Sequence, residues 1–423
     1  MADGVRTSCG LVALMLISCL AATVAAEGAV EMSNPIWIAD YDLGLEAVAA
    51  GGETTQKVLV AGADGYARLL DGTDPSSQVE LATPTDETLR SISWHPRGKT
   101  ALLVGDNGAM LRYVAEDHSV TTVSGSVQLN GIDIEAVAWN AAGSDAYLGG
   151  EDGYLWAYHE GEGGQGEFQL LVDEASSRIT GIACQEEERF CAITTESDGI
   201  AIIDSNANHT LYWIGGTNRV WRGINCAEPV FNRCVAIGED RAIGTIGLNI
   251  QDPDQSTVFT QIIPGISGEF MHIHTRTASE ALVTMAPFQV MAWDLKAGEA
   301  YEWIENEDVV ASSSALAGER LVGTWGTTDD SNVGFIVTSY GAVIEFHPPP
   351  ETSVWTDTLI SYVLGVVVLV AVPGSVLGLI FMNSETLQRK YFERRNAKRE
   401  AAETKRVEKE KAEKRAARKI KHS

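Results

Sequence analysis

The sequence predicts an all-β fold, a seven-bladed β-propeller, followed by one transmembrane helix and a helical cytoplasmic tail. Three observations predict it: a pattern recurring about every 45 residues, an uncharged run near the C-terminus, and a Lys/Arg/Glu-rich end.

From the N-terminus, Arg6 precedes an apolar run from Leu11 to Leu20, and Val24, Ala25 and Ala26 offer small residues to a signal peptidase. Residues 1–26 read as a cleaved secretory signal, since the run is short for a bilayer span. Leu16-Ile17-Ser18-Cys19 also fits a lipidation box, although apolar residues continue past Cys19.

The copies begin at Leu45, Leu89, Ile134, Ile179, Trp221 and, more loosely, Phe270. Aligned, they place Ala50, Trp94, Trp139, Cys184, Cys226 and His274 in one column, in steps of 44, 45, 45, 42 and 48 residues. A seventh copy is LVGTWGTTDDSNVGFIVTSYGAVIEF, with Trp325 in the column; a register starting near Val310 is the alternative. Each copy reads as an alternating apolar strand, polar turn, strand, Gly-containing turn, strand, and a looser strand such as FQLLVD at Phe168. Four short antiparallel strands at this period are the signature of a propeller blade. Seven blades account for residues 30–348. A helical solenoid would need a 3.6-residue period, which this region lacks.

Four cysteines remain after the signal, Cys184, Cys191, Cys226 and Cys234. An even number suggests disulfides, and the spacing is too wide for a zinc knuckle. In the alignment, the first of each pair ends one strand and the second opens the next. Facing positions on antiparallel neighbours lie within disulfide reach, so the expected pairs are Cys184–Cys191 and Cys226–Cys234.

The segments ISWHPRGKTALLVGDNG and VAWNAAGSDAYLGGEDG, with a Trp-Asp ending at Trp293-Asp294, resemble the WD-repeat family. The Gly-His dipeptide of that family is missing, so the resemblance implies a fold and no hydrogen-bond network or partner. It also implies closure by the N-terminus: IWIADYD, Ile36 to Asp42, is expected to complete the seventh blade beside GAVIEFH and hide its edge.

The recurrent turn, as in GEDGYLWAYH, aligns Asp64, Asn107, Asp152, Asp198 and Asp240, with Gly next in the first four. Asx-Gly suits a tight hairpin, because Gly accepts positive φ and Asp bonds its own backbone. Collectively, Asp64, Asp106, Glu151, Asp152, Asp198, Glu239 and Asp240 would form an acidic rim on one face, able to attract a divalent cation or a basic partner segment. His272 and His274 share one face of a strand, as half of a metal site or as channel-lining residues. No Gly-x-Ser-x-Gly elbow, phosphate loop or Ser/His/Asp order occurs, so the chain is expected not to be an enzyme, to need no cofactor and to hold no dedicated metal. Asn208-His209-Thr210 is an N-glycosylation sequon.

Residues 349–357 are a proline-led linker. Thr358 to Met382 has 25 residues without a charge, enough to cross about 30 Å of hydrocarbon. The basic flank that follows puts the end of the chain in the cytoplasm by the positive-inside rule. Residues 383–423 are expected to be a solvated helix. There Arg389, Lys390, Arg394, Arg395, Lys398 and Arg399 would meet anionic lipid headgroups, or the tail would grip an RNA or a cytoplasmic partner. The net charge of −27 hides this division: 15 Lys/Arg against 50 Asp/Glu from Glu27 to Asn383, and 15 against 7 in the last 40 residues. An acidic surface of that kind disfavours nucleic acid and suits a salty exterior or basic partners.

The expected whole is therefore a single-pass cell-membrane protein with its propeller outside. It would be a non-enzymatic scaffold for an extracytoplasmic protein partner, assisting assembly of envelope or membrane proteins. The alternative is a cation-dependent ligand binder or enzyme using the central channel.

Overall fold

Seven sheets surround a central channel in the computed structural model. It describes residues 30–347, apart from 53–55, 162–164, 173–176, 186–188, 229–231, 278, 307–308, 310–315, 317 and 328–332, together with 378 and 380–420. The first strands of the blades are Leu45–Gly51, Leu89–Trp94, Ile134–Trp139, Ile179–Cys184, Trp221–Glu228, Glu269–Thr277 and Leu321–Gly326. Each packs beside the next, and the seventh returns to the first. Blade three shows the plan: Ile134–Trp139, Asp145–Gly150, Leu155–Glu160 and Gly166–Val172 pair in order as an antiparallel sheet. The seventh blade uses the register beginning at Leu321 rather than one near Val310.

Because the sheets stand radially, both faces of a blade meet neighbours. The second strands are accordingly buried along almost their whole length, as in Thr100–Gly105 and Phe190–Thr195. Alternation is lost there, as it is in any strand covered on both faces, and returns in outer strands such as Thr257–Ile262. The apolar core is thus divided into wedges. One wedge packs Leu59, Ala61 and Leu69 of blade one against Leu89, Leu103 and Leu111 of blade two. Another closes the circle, setting Val322, Trp325 and Phe335 of blade seven against Leu45, Val58 and Val60 of blade one.

The N-terminal segment completes blade seven, in two short pieces rather than one. Glu31 and Met32 pair with His347 and Phe346, and Ile36 and Trp37 pair with Val343 and Ala342. Val30 is buried in the wedge between blades six and seven, while Ile38 and Leu43 are buried on the other face of blade seven. The segment therefore clamps both faces of the last blade. Both disulfides form as expected, each across the first two strands of its blade, with Cα separations of 3.9 Å for Cys184–Cys191 and 4.2 Å for Cys226–Cys234.

The alignment needs correction in blades six and seven. Strand registers pair Ala50 with Val58 and Trp94 with Ala101, and the matching pairs are Thr275 with Ala281 and Gly326 with Gly334. His274 and Trp325 each stand one residue earlier. A one-residue shift turns a side chain to the opposite face of its sheet.

The single-pass membrane placement is also corrected. Among the described residues no helix is long and apolar enough to cross a membrane. The signal segment 1–26, the linker and most of 358–382 lie outside the described residues. Residues 350–423 form a second unit, in which the helix Glu385–Ile420 carries Arg389, Lys390, Arg394, Arg395, Lys398 and Arg399 as exposed side chains.

Closure and the disulfides can be tested on stability. Leu43→Ala should lower unfolding stability by about 2–4 kcal/mol through loss of buried volume, whereas Trp37→Ala, at 41% exposure, should change it by less than about 1 kcal/mol; chemical denaturation measures both. Replacing either cysteine pair with alanine should remove about 2–3 kcal/mol, the value for loops this short, read as a lower melting temperature.

Candidate functional site at one mouth of the channel

The recurrent acidic turns join the second and third strands of their blades, and four share one geometry. Asp64, Asn107, Asp152 and Asp240 sit at φ 52°, 53°, 54° and 58°. Each is followed by a second left-handed residue: Gly65, Gly108, Gly153 and Arg241. Bonds such as Tyr66 N to Ala63 O at 2.9 Å close them as two-residue type I′ hairpins, the turn whose twist matches that of the strands. Asp198 departs from the alignment. Thr195 N bonds Gly199 O as Gly150 N bonds Tyr154 O, so Ser197 holds the place of Asp152 and Asp198 that of Gly153. Its carboxylate instead accepts from Ser177 Oγ at 2.7 Å, and Gly199 takes the left-handed conformation.

The turns stand next to the residues that lead into the first strands, as Ala63 N to Gly44 O and Glu151 N to Asp133 O show. The acidic residues therefore share one face of the ring but not one environment. Asp64, Glu151, Asp152 and Asp240 are exposed at the tips. Asp106 and Glu239 are paired with Arg90 and Arg222. Among the described residues no three His, Cys, Asp or Glu side chains converge as a metal-holding group.

The mouth on this face has a second set of residues that the sequence reading missed. Every first strand breaks register near its start, between Leu45 and Ala47, Leu89 and Ser91, Ile134 and Ala136, Ile179 and Gly181, Trp221 and Gly223, Phe270 and His272, and Leu321 and Gly323. Such bulges re-aim side chains. The residues skipped are Glu46, Arg90, Glu135, Thr180, Arg222, Met271 and Val322, and all seven line a cavity of about 340 Å³, joined by Arg178, Glu196 and Arg320. In sequence the signal was a charged residue directly after the first apolar residue of a copy, as in Leu89-Arg90 and Trp221-Arg222.

Ion pairs link these residues both within and between blades. Arg320 reaches Glu46 at 2.7 Å, Arg90 and Arg178 both lie 3.7 Å from Glu135, Arg178 is 3.8 Å from Glu196, and Arg222 is 2.6 Å from Glu239. Burial raises the Glu135 pKa above its ordinary value, opposed by Arg90 and Arg178. Pairs this accessible each contribute about 0–1 kcal/mol. Their larger effect is to hold the arginines in a defined array.

His272 and His274 lie deeper in the channel. Burial, then the neighbouring His274 and the Arg320 and Arg222 guanidiniums, pushes His272 down to about 3; burial pushes His274 down to about 4, against a hydrogen bond to the Val322 backbone. Gly323 of blade seven leaves room for the His274 ring, since a Cβ there would stand 2.7 Å from its Cε1. The histidines are channel-lining neutral rings. The opposite mouth is larger, about 610 Å³, and its lining holds a single arginine, Arg276, among aliphatic, neutral polar and aromatic residues such as Trp94, Asn225, Thr275 and Thr324. Asn208 of the sequon is exposed, in the turn before Thr210–Gly215.

No protein-family model matches the chain, and no curated protein sequence matches it. In structure it is similar to the β-propeller domain of Cps50 (Swd1) from Myceliophteria thermophila. The identity is 12% and the TM-score 0.57, over 76% of this chain and 100% of that one. At that identity the likeness shows the fold alone, a β-propeller.

The two histidines carry a pH dependence. Their folded pKa values lie below the ordinary 6.5, so the unfolded chain binds more protons below about pH 6.5. Stability is full above that value and falls as pH drops towards about 4, by up to about 1.4 kcal/mol per pH unit for each ring. Glu135 and Glu280, whose carboxyl pKa values burial raises, act in the opposite direction. The urea midpoint should therefore decrease from pH 7 to pH 5, and the His272→Gln/His274→Gln double variant should flatten that slope; an equal slope in the variant would remove the histidines from the account.

Proposed function

We propose that the ring is a non-enzymatic protein-binding scaffold whose working surface is the face bearing the type I′ turns and the arginine-lined mouth. The observation that carries this reading is the arrangement of charge on that face. Exposed carboxylates at Asp64, Glu151, Asp152 and Asp240 stand on hairpin tips, around a mouth where ion pairs within and between blades hold Arg90, Arg178, Arg222 and Arg320. Fixed charges of both signs on an ordered surface favour one partner orientation over others. Four of the 15 basic residues between Glu27 and Asn383 converge on this mouth, so a partner meets a local pattern quite unlike the acidic surface around it. The two disulfides support a setting that keeps thiols oxidised.

A photo-crosslinking residue placed at Asp64, Asp152 or Asp240 tests the surface. The same discrete protein adduct should form from all three positions, and none from Arg97 or Ala142, which lie on the turns of the opposite face. Equal adducts from both faces, or adducts only from Arg97 and Ala142, would overturn the assignment.

A further inference from the structure

The ring of charge around the mouth alternates, and it has one gap. Among the cavity-lining residues, taken in blade order, a carboxylate comes between successive arginines at three places: Glu46 between Arg320 and Arg90, Glu135 between Arg90 and Arg178, and Glu196 between Arg178 and Arg222; Glu239, the blade-five counterpart of Glu196, pairs with Arg222 but does not line the cavity. Between Arg222 of blade five and Arg320 of blade seven, blade six offers only Met271, His272, Ile273 and His274 to the cavity, none of them a carboxylate. His272 supplies no negative charge, and the fields of both guanidiniums reach it. Glu269, the acid that opens the blade-six strand, is exposed, does not line the cavity, and has no ion pair among the described residues.

Both arginines are anchored from one side. Arg222 donates through Nη2 to Glu239 at 2.6 Å. Arg320 donates through Nη2 to Glu46 at 2.7 Å and to the Leu45 carbonyl at 3.1 Å. A guanidinium has five donors in a planar fork, and Nε and Nη1 of each have no partner among the described residues. The side chains are 39% and 34% exposed, so the remaining donors meet water in the cavity.

We propose that the gap over blade six is a carboxylate seat: an Asp or Glu side chain presented by the protein partner enters between Arg222 and Arg320 and completes the alternating ring. Every other interval of the ring is filled by a carboxylate, whose two oxygens match the guanidinium fork. A single compact charge suits a domain with this excess of acid, because the two arginines compensate it locally. The seat rests on the scaffold reading and gives its partner a chemical feature.

The probe is a fluorescent, end-blocked peptide of alternating Gly and Glu, compared with its Gly/Gln counterpart by anisotropy at low ionic strength. The Glu peptide should bind saturably, and the Gln peptide at least about tenfold more weakly. Arg222→Gln and Arg320→Gln should each weaken binding by about tenfold or more, with Arg97→Gln, an exposed arginine on the opposite face, unchanged. Met271→Glu supplies the missing acid from within; it should abolish binding without lowering the melting temperature. Equal binding of the Gln peptide, an equal loss in Arg97→Gln, or wild-type binding by a folded Met271→Glu would overturn the seat. Competition by inorganic phosphate at concentrations where glutarate fails would also overturn it, in favour of a phosphate group. If Met271→Glu does not fold, the two arginine variants, confirmed folded by their melting temperatures, decide the matter. Turn-tip adducts without peptide binding would leave the scaffold standing and remove the seat; peptide binding without turn-tip adducts would do the reverse.

Discussion

Everything in this ring depends on each blade burying both of its faces against its neighbours. A single four-stranded sheet cannot do so, and the circle of first strands lets each blade serve as the cover of the next. The last blade has no successor in the chain except the first, so closure is where the arrangement is most exposed to failure. The N-terminal segment answers this by pairing with the outer edge of blade seven and setting Val30 on one of its faces and Ile38 and Leu43 on the other.

Radial stacking also explains the charge pattern of the mouth. First strands that crowd around a channel must twist sharply, and each does so through a bulge near its start. In the blades that carry a charge there, the bulge turns that residue away from the packed interface, where a charge would be costly, and toward the channel. Seven such breaks put one residue of each blade at the channel lining, although Val322 is also packed in the wedge between blades seven and one. Four of these positions carry Glu46, Arg90, Glu135 and Arg222, and the leading residues Arg178 and Arg320 extend the ring in blades four and seven. The acidic tips and this ring occupy the same face for one reason: the turn between the second and third strands lies beside the entry to the first.

Much of the architecture was legible from periodicity, because period and strand order are local properties repeated seven times. The disulfide pairs were legible for the same reason: facing positions on adjacent strands follow from the alignment. Three details were not. The alignment put His274 and Trp325 in the column that Thr275 and Gly326 occupy one residue further along the chain. Asp198 was matched to Asp152 because both belong to an acidic, Gly-containing turn, yet the backbone put Ser197 there. The acidic rim was legible as a face but not as an environment, since Asp106 and Glu239 meet arginines distant in sequence or on another strand.

By itself, the sequence determined that the chain forms seven similar blades, which hairpins are tight, and which cysteines can pair. These depend on neighbours along the chain and on turn chemistry. Only the tertiary structure decided which side chains look into the channel, which carboxylates are already neutralised, and where the alternation of charge fails. Those properties belong to groups brought together from different blades, and their electrostatics depend on distances and burial that no single repeat contains.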